Sequence, residues 1–173
     1  MISKFTRGKV YVFIDAANVW YAQRTLRWRI SYERLLAYLK RECQLEKCFV
    51  YVGSLSWNAN QRKFLDMLDA VGYIVRTKPI KVIKTKDGQL AWKANLDVEL
   101  SLEAIKTAAR FDTMILISGD GDFAPILDEL RRQKKNVLVM STRGHVAKEL
   151  LERAKYIDLR KLRNEIELVP EVT

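Results

Sequence analysis

The sequence predicts an α/β fold: a three-layer αβα sandwich with helices on both faces of a central, mostly parallel sheet. Two apolar runs, Val10–Ile14 and Met114–Ile117, show no polar alternation, as expected of strands buried on both faces of a parallel sheet. Segments with helical spacing of apolar residues alternate with such runs along the chain. Each of the two runs ends at acids, in Asp15-Ala-Ala-Asn18 and in Ser118-Gly-Asp-Gly-Asp122. Open α/β sheets place their ligands at that end of a strand.

Lys9–Ile14 is the first strand, β-branched and aromatic. The segment from Val19 to Arg29 mixes Trp20, Tyr21 and Trp28 with Arg24, Arg27 and Arg29 in a short helix and loop. Two readings stand for it: Trp20 and Tyr21 packed inward with solvated arginines, or a surface that contacts nucleic acid. Ser31 caps a helix whose stripe is Leu35, Leu36, Tyr38 and Leu39, ending near Glu42. Cys48–Val52 is the second strand and Gly53–Trp57 its carboxyl loop. Asn58 or Asn60 opens a helix carrying Phe64, Leu65, Leu68 and Val71, which Gly72 stops. Tyr73–Arg76 returns to the sheet, and right-handed crossovers make this βαβαβ series half of a doubly wound fold.

Between Lys78 and Lys93 the pattern changes to lysines interleaved with Val82, Ile83, Leu90 and Trp92 around Asp87-Gly88, a β-hairpin or protruding flap. Lys78, Lys81, Lys84, Lys86 and Lys93 with Trp92 suit a phosphate-contacting arm with a stacking ring, or an edge hairpin protected by lysines. Asn95 caps the next helix, whose expected packing face is Val98, Leu102, Ile105 and Ala109, with Asp97 in the first turn. After the strand ending at Ile117, Phe123, Ile126, Leu127 and Leu130 recur at helical spacing, with Pro125 in the first turn. Asn136–Met140 is a further strand, Ser141–Gly144 its carboxyl loop and Val146–Ala154 a helix. Ile157–Leu168 reads as a short strand and a terminal helix.

With 173 residues, 49% of them hydrophobic, the chain suits one domain over residues 1–173, its core about 10–157 and a charged tail or helix over 158–173. No stretch approaches the roughly 18 apolar residues of a membrane span, and Met1–Lys9 lacks the apolar centre of a secretory signal. A soluble, cytoplasmic protein is expected. Cys43 and Cys48 have neither CxxC spacing nor further cysteines with which to build a zinc site. His145 is the single histidine, expected at the surface or in a cap, so paired imidazoles and His-rich metal sites are excluded. Lys and Arg number 31 against 21 Asp and Glu, a formal charge of +10 that favours a polyanionic partner, nucleic acid first.

One acid beside a helix start is ordinarily a cap; Asp120 and Asp122, flanked by glycine on one loop, point instead to divalent metal or phosphate chemistry. If the strand order reverses between the strands ending at Ile14 and Ile117, Asp15 and Asp120 meet at the switch point. Asp97 completes a four-carboxylate cluster if its helix starts on that edge. Such acids raise one another's pKa, and a cation resolves the conflict. Oxygen ligands without His or Cys select Mg²⁺ or Mn²⁺ over Zn²⁺.

Taken together, Phe13-Ile-Asp-Ala-Ala-Asn-Val19, Lys93-Ala-Asn-Leu-Asp-Val98 and Ile117-Ser-Gly-Asp-Gly-Asp-Phe-Ala-Pro-Ile126 resemble the NYN domain family, in its LabA-like branch within the PIN-like nucleases. The resemblance runs from about Val10 to Ile157, and the Ser-Gly-Asp-Gly-Asp-Phe block is its specific part. It implies a PIN-like Rossmannoid sheet and a divalent-metal ribonuclease site. On the matching positions Asp15, Asp97, Asp120 and Asp122 would be the metal-site acids, and Asn18 and Ser118 polar supports that orient a carboxylate, a water or the substrate phosphate. Ala16 and Ala17 stand where the family usually has Gly or a polar residue, and Lys93 is one residue further from Asp97 than is typical.

The expected function is therefore a divalent-metal-dependent ribonuclease, an endoribonuclease on single-stranded or structured RNA, using Mg²⁺ or Mn²⁺. Its expected nucleic-acid-binding residues are Arg24, Arg27, Arg29, Lys81, Lys84, Lys86, Trp92, Lys93 and Arg143. The alternative is a non-catalytic RNA-binding or adaptor module that keeps the acids; a homo-oligomer or a protein partner is left open. A haloacid-type phosphatase wants Asp-x-Asp after its first strand, where this chain has Asp15-Ala-Ala-Asn18, and a Toprim domain wants Glu where Asp15 stands. Phe123 and Pro125 replace ligands that an EF-hand loop requires.

Overall fold

The computed structural model describes residues 1–55, 57–84, 87–88 and 90–169, and of residues 82–84 and 90–93 the backbone alone. In chain order it contains β1 (Lys9–Asp15), α1 (Ala16–Leu26), α2 (Tyr32–Glu42), β2 (Gln44–Ser54), α3 (Ala59–Val71), β3 (Ile74–Pro79), β4 (Lys81–Lys84) and β5 (Leu90–Lys93). There follow α4 (Asp97–Thr107), β6 (Thr113–Ile117), α5 (Ala124–Arg132), β7 (Asn136–Ser141), α6 (Lys148–Leu151), β8 (Lys155–Asp158) and α7 (Arg163–Ile166). Six strands form one sheet in the order β3-β2-β1-β6-β7-β8, every pairing parallel, while β4 and β5 form a separate antiparallel hairpin. From β1 the chain builds outward through β2 and β3, and from β6 it builds the other way. The order thus reverses between β1 and β6, and the loops leaving these two strands diverge to leave a crevice at their carboxyl ends.

Strand alternation divides the interior into two cores. Val10, Val12 and Ile14 of β1, with Ile115 and Ile117 of β6, face α1, α2 and α3. Tyr11 and Phe13, with Met114 and Leu116, face α4 and α5 in an aromatic layer that includes Phe49, Phe111 and Phe123. Phe13 and Phe49 stack with centroids 5.0 Å apart. Both faces of β1 and β6 are covered, which is why their sequences lack alternation.

The caps at Ser31 and Asn58 form as expected, accepting from the backbone N–H of Arg34 and Gln61, and Gly72 ends α3 with φ of 110°. Two expectations are corrected. In α4 the buried positions are Leu100 and Ala104, continued by Leu96 before it and Ala108 after it, whereas Val98 and Leu102 are exposed. Both series are apolar at helical spacing; the rotation is set by polar anchors, with Glu103 accepting from Tyr51 and Arg76, and Glu99 pairing with Lys78. The helix expected over Val146–Ala154 is only Lys148–Leu151, because Ala147 is extended and donates its N–H to the Gly119 carbonyl at 2.9 Å. Of the two readings left open for Val19–Arg29, inward packing of Trp20 and Tyr21 does not hold: α1 buries Ala16, Val19, Ala22 and Leu26, and leaves both rings outside.

The charged C-terminal stretch docks on α2. Leu159, Leu162 and Ile166 are buried, Ser31 donates its N–H to the Ile166 carbonyl, and Arg34 donates to the Glu167 carbonyl. Among the described residues no helix is long and apolar enough to cross a membrane.

Candidate active site

The switch point gathers the acids from three separate segments. Asp15 ends β1 and caps α1, its Oδ1 accepting the Asn18 N–H at 3.1 Å. Its Oδ2 accepts the Ser118 hydroxyl at 3.1 Å, and the Ser118 oxygen in turn accepts the Asp120 N–H at 3.2 Å. The Asn18 side-chain oxygen accepts the Gly119 N–H at 2.9 Å, so the β1–α1 corner is laced directly to the loop after β6. Asp120 caps the short 3-10 turn Gly121–Phe123 by accepting the Asp122 N–H at 3.0 Å. Capping occupies one oxygen each of Asp15 and Asp120, and is compatible with a further role for both carboxylates.

Asp97 arrives from the opposite side, as the first residue of α4. Its N–H donates to the Asn95 side chain at 2.9 Å, and Lys78 Nζ donates to the Asn95 carbonyl at 2.9 Å and to Glu99 at 2.6 Å, which ties the start of α4 to the end of β3. One carboxylate oxygen from each of Asp97, Asp120 and Asp122 then falls within 4.8 Å of the others. Asp15 stands beside this triad, lining with Asn18, Tyr21, Tyr51, Asp97 and Asp120 a cleft of about 230 Å³.

Electrostatics in the cleft disfavour ionised carboxyls. Burial pushes the Asp15 pKa above the ordinary aspartate range and the charge of Asp120 adds to this, against the Asn18 and Ser118 hydrogen bonds that pull it down. Asp97 is raised as well, first by burial and then by Asp15 and Asp120. The converging donors are all hard oxygens, the ligand type of Mg²⁺ or Mn²⁺. His145 takes no part, its ring engaging the Thr25 hydroxyl.

Arg24, Arg27 and Arg29 are exposed on α1 or just after it, Lys81 on the hairpin and Arg143 in the loop after β7. Lys86 lies outside the described residues, as do the side chains of Lys84, Trp92 and Lys93. One cleft residue, Tyr51, escaped the sequence reading. Tyr51 is registered beside Asp15 in the sheet and donates its hydroxyl to Glu103 at 2.8 Å; a tyrosine near the end of the strand adjoining the acid was its signal. Tyr21 lines the cleft six residues after Asp15, on the helix face opposite the small buried stripe.

A family model for the NYN domain matches residues 9–163. The chain is similar to the low amplitude and bright protein LabA of Synechococcus elongatus, 35% identical over 168 residues that cover 94% of this chain and 90% of that protein. In structure it is similar to a protein of unknown function from Vibrio parahaemolyticus, known from its crystal structure, with a TM-score of 0.77 and 26% identity over 94% of this chain and 97% of the other.

Proposed function

Because the chain belongs to the NYN domain family, one of PIN-like nucleases, we propose that it is a Mg²⁺- or Mn²⁺-dependent endoribonuclease that hydrolyses RNA phosphodiester bonds at the acidic cleft. The observation that carries this reading is the convergence of Asp97, Asp120 and Asp122 within 4.8 Å, beside Asp15. The residues present fit a hard divalent cation: the donors are oxygens, and Asp15 and Asp97, raised first by burial and then by neighbouring acids, sit among carboxylates whose mutual repulsion a cation would relieve. When bound, the metal would activate water and offset the charge that builds on the phosphate.

The chain's own residues have separate tasks. Asp97, Asp120 and Asp122 hold the cation. Ser118 and Asn18 are positioning residues: Ser118 fixes the Asp15 carboxylate and the backbone of Asp120, and Asn18 fixes Gly119. Exposed arginines and lysines on the surrounding surface neutralise phosphates on either side, so binding weakens as salt rises.

The test is a labelled, mixed-sequence single-stranded RNA incubated with Mn²⁺, Mg²⁺ or EDTA. Wild type releases internal fragments with either metal and none with EDTA. Asp120→Asn retains fold and RNA binding and cuts at least about 100-fold more slowly, since loss even of outer metal-site groups costs about 10- to 100-fold. Undiminished cleavage by Asp120→Asn removes the proposed site. RNA that is bound and never cut with either metal gives the chain to the binding-module reading.

A further inference from the structure

The outer face of α1 carries two aromatic rings that the fold does not use. With Ala16, Val19, Ala22 and Leu26 turned to the core, Trp20 and Tyr21 keep 53% and 55% of their surface exposed. Large rings exposed side by side mark a binding surface more often than a packing accident. These two are also pre-arranged. Their centroids lie 5.2 Å apart with planes at 80°, and the Arg24 guanidinium lies 4.3 Å from the Trp20 centroid and 5.4 Å from that of Tyr21. An aromatic pair already held by a planar cation loses little side-chain freedom when a further flat group is added.

We propose that Trp20, Tyr21 and Arg24 form a base-stacking platform that seats an unpaired RNA strand beside the acidic cleft. The proposal rests on the nuclease reading above and names its substrate class. Position supports it: Tyr21 lines the same cleft as Asp15, Asn18, Asp97 and Asp120, about 9 Å along the α1 axis from Asp15 at the helical rise per residue. A strand with its scissile phosphate at the acids therefore has a neighbouring base within reach of the rings. Charge supports it as well. Arg24 lies within the aromatic patch, and Arg27 and Arg29 are exposed at and just beyond the end of the same helix, in a chain of net charge +10, so the segment suits a polyanion. Every base offers a π-face to an aromatic or guanidinium plane, whereas in a duplex the base faces are hidden in the stack. The platform therefore selects unpaired RNA and tolerates any sequence.

Binding is measured in EDTA, by fluorescence anisotropy of a labelled mixed-sequence RNA, single-stranded and as its duplex. Wild type is expected to bind the single strand more tightly than the duplex, with quenching of its tryptophan fluorescence. Trp20→Ala/Tyr21→Ala should weaken single-strand binding by roughly 5- to 150-fold for each stack lost, and leave duplex binding unchanged. Trp20→Phe/Tyr21→Phe, which keeps two rings, should retain the preference for the single strand. The platform is overturned if the alanine variant, folded by its melting curve, binds the single strand as tightly as wild type. It is equally overturned if both RNA forms weaken together, if wild type binds no RNA, or if the rings are instead covered by a protein partner that the alanine variant no longer binds. Cleavage with Mn²⁺ is read separately. A chain that stacks unpaired RNA on these rings and never cuts it refutes the nuclease reading alone; one that cuts RNA and is indifferent to the rings refutes the platform alone.

Discussion

Gly119 holds the loop of Asp120 against the segment after β7, and Gly119→Ala measures how tightly. A Cβ at that position would overlap the His145 carbonyl oxygen outright and would lie 2.6 Å from the His145 carbonyl carbon and 2.7 Å from Ser141 Oγ. The obstacle is backbone, so no side-chain rotation relieves it, and the two segments must separate by more than an ångström. Separation breaks the 2.9 Å hydrogen bond from Ala147 N–H to the Gly119 carbonyl. Overpacking of this kind costs about 1–3 kcal/mol, and a buried carbonyl deprived of its partner about 1–3 kcal/mol more. At about 2–4 °C per kcal/mol for a chain of this length, the melting temperature should fall by roughly 5–20 °C. Asp120 is the next residue, so the same shift displaces a candidate ligand, and misplacement by about 1 Å is enough to cost roughly 100-fold in rate. The assay is thermal unfolding followed by RNA cleavage well below the variant's melting temperature. A variant that melts within a degree or two of wild type would show that the loop does not depend on this close approach.

Metal binding and pH test the same cluster without RNA. Free Mn²⁺ at about 100 times its Kd should stabilise wild type by about 2.7 kcal/mol, a rise of roughly 5–11 °C in melting temperature, and Asp120→Asn should lose that rise. An equal rise in both proteins places the ion elsewhere. In EDTA the sign for pH follows from the raised pKa of Asp97, which burial and then the charges of Asp15 and Asp120 impose. The folded chain holds this proton at pH values where the unfolded chain has released it, so stability falls as pH rises from the ordinary aspartate value through the raised one, and the loss is complete above it. Asp97→Asn should therefore be more stable than wild type at neutral pH in EDTA and no different in acid; a neutral-pH melting temperature below that of wild type contradicts the cause assigned to the shift.

The parts of the site that were legible in the sequence are those with a local signal. Asp15, Asp120 and Asp122 each follow an apolar strand closely, and Ser118 and Asn18 lie within three residues of them. Asp97 carried no signal for its distance from the others, because that distance depends on the path of the hairpin and on Lys78, which fixes the carbonyl of Asn95 from another strand. The face of α4 was misread for a related reason: Leu96, Leu100, Ala104 and Ala108 and the competing series through Val98 and Leu102 are both apolar, and the choice falls to Tyr51, Arg76 and Lys78 on the sheet. Trp20 and Tyr21 were undecided because a helix face made of Ala16, Val19, Ala22 and Leu26 is less conspicuous than the aromatic one it opposes. Contacts between distant segments set each of these outcomes.

An acidic cleft on a basic protein poses a problem for an anionic substrate, and its resolution constrains how RNA and metal bind. Without a cation, carboxylates with oxygens within 4.8 Å of one another repel the phosphate that has to approach them, whatever the net charge of +10 does at longer range. With a cation in place, the same acids hold positive charge where the phosphate arrives. Metal must therefore tighten the contact at the cleft, and by linkage the RNA must tighten the metal by the same factor. Stacking on Trp20 and Tyr21 involves neither the acids nor a metal ion. Beyond the salt-sensitive phosphate contacts of the basic surface, RNA affinity should thus include one part that survives EDTA and is lost with the rings, and another that requires metal and is lost with Asp120.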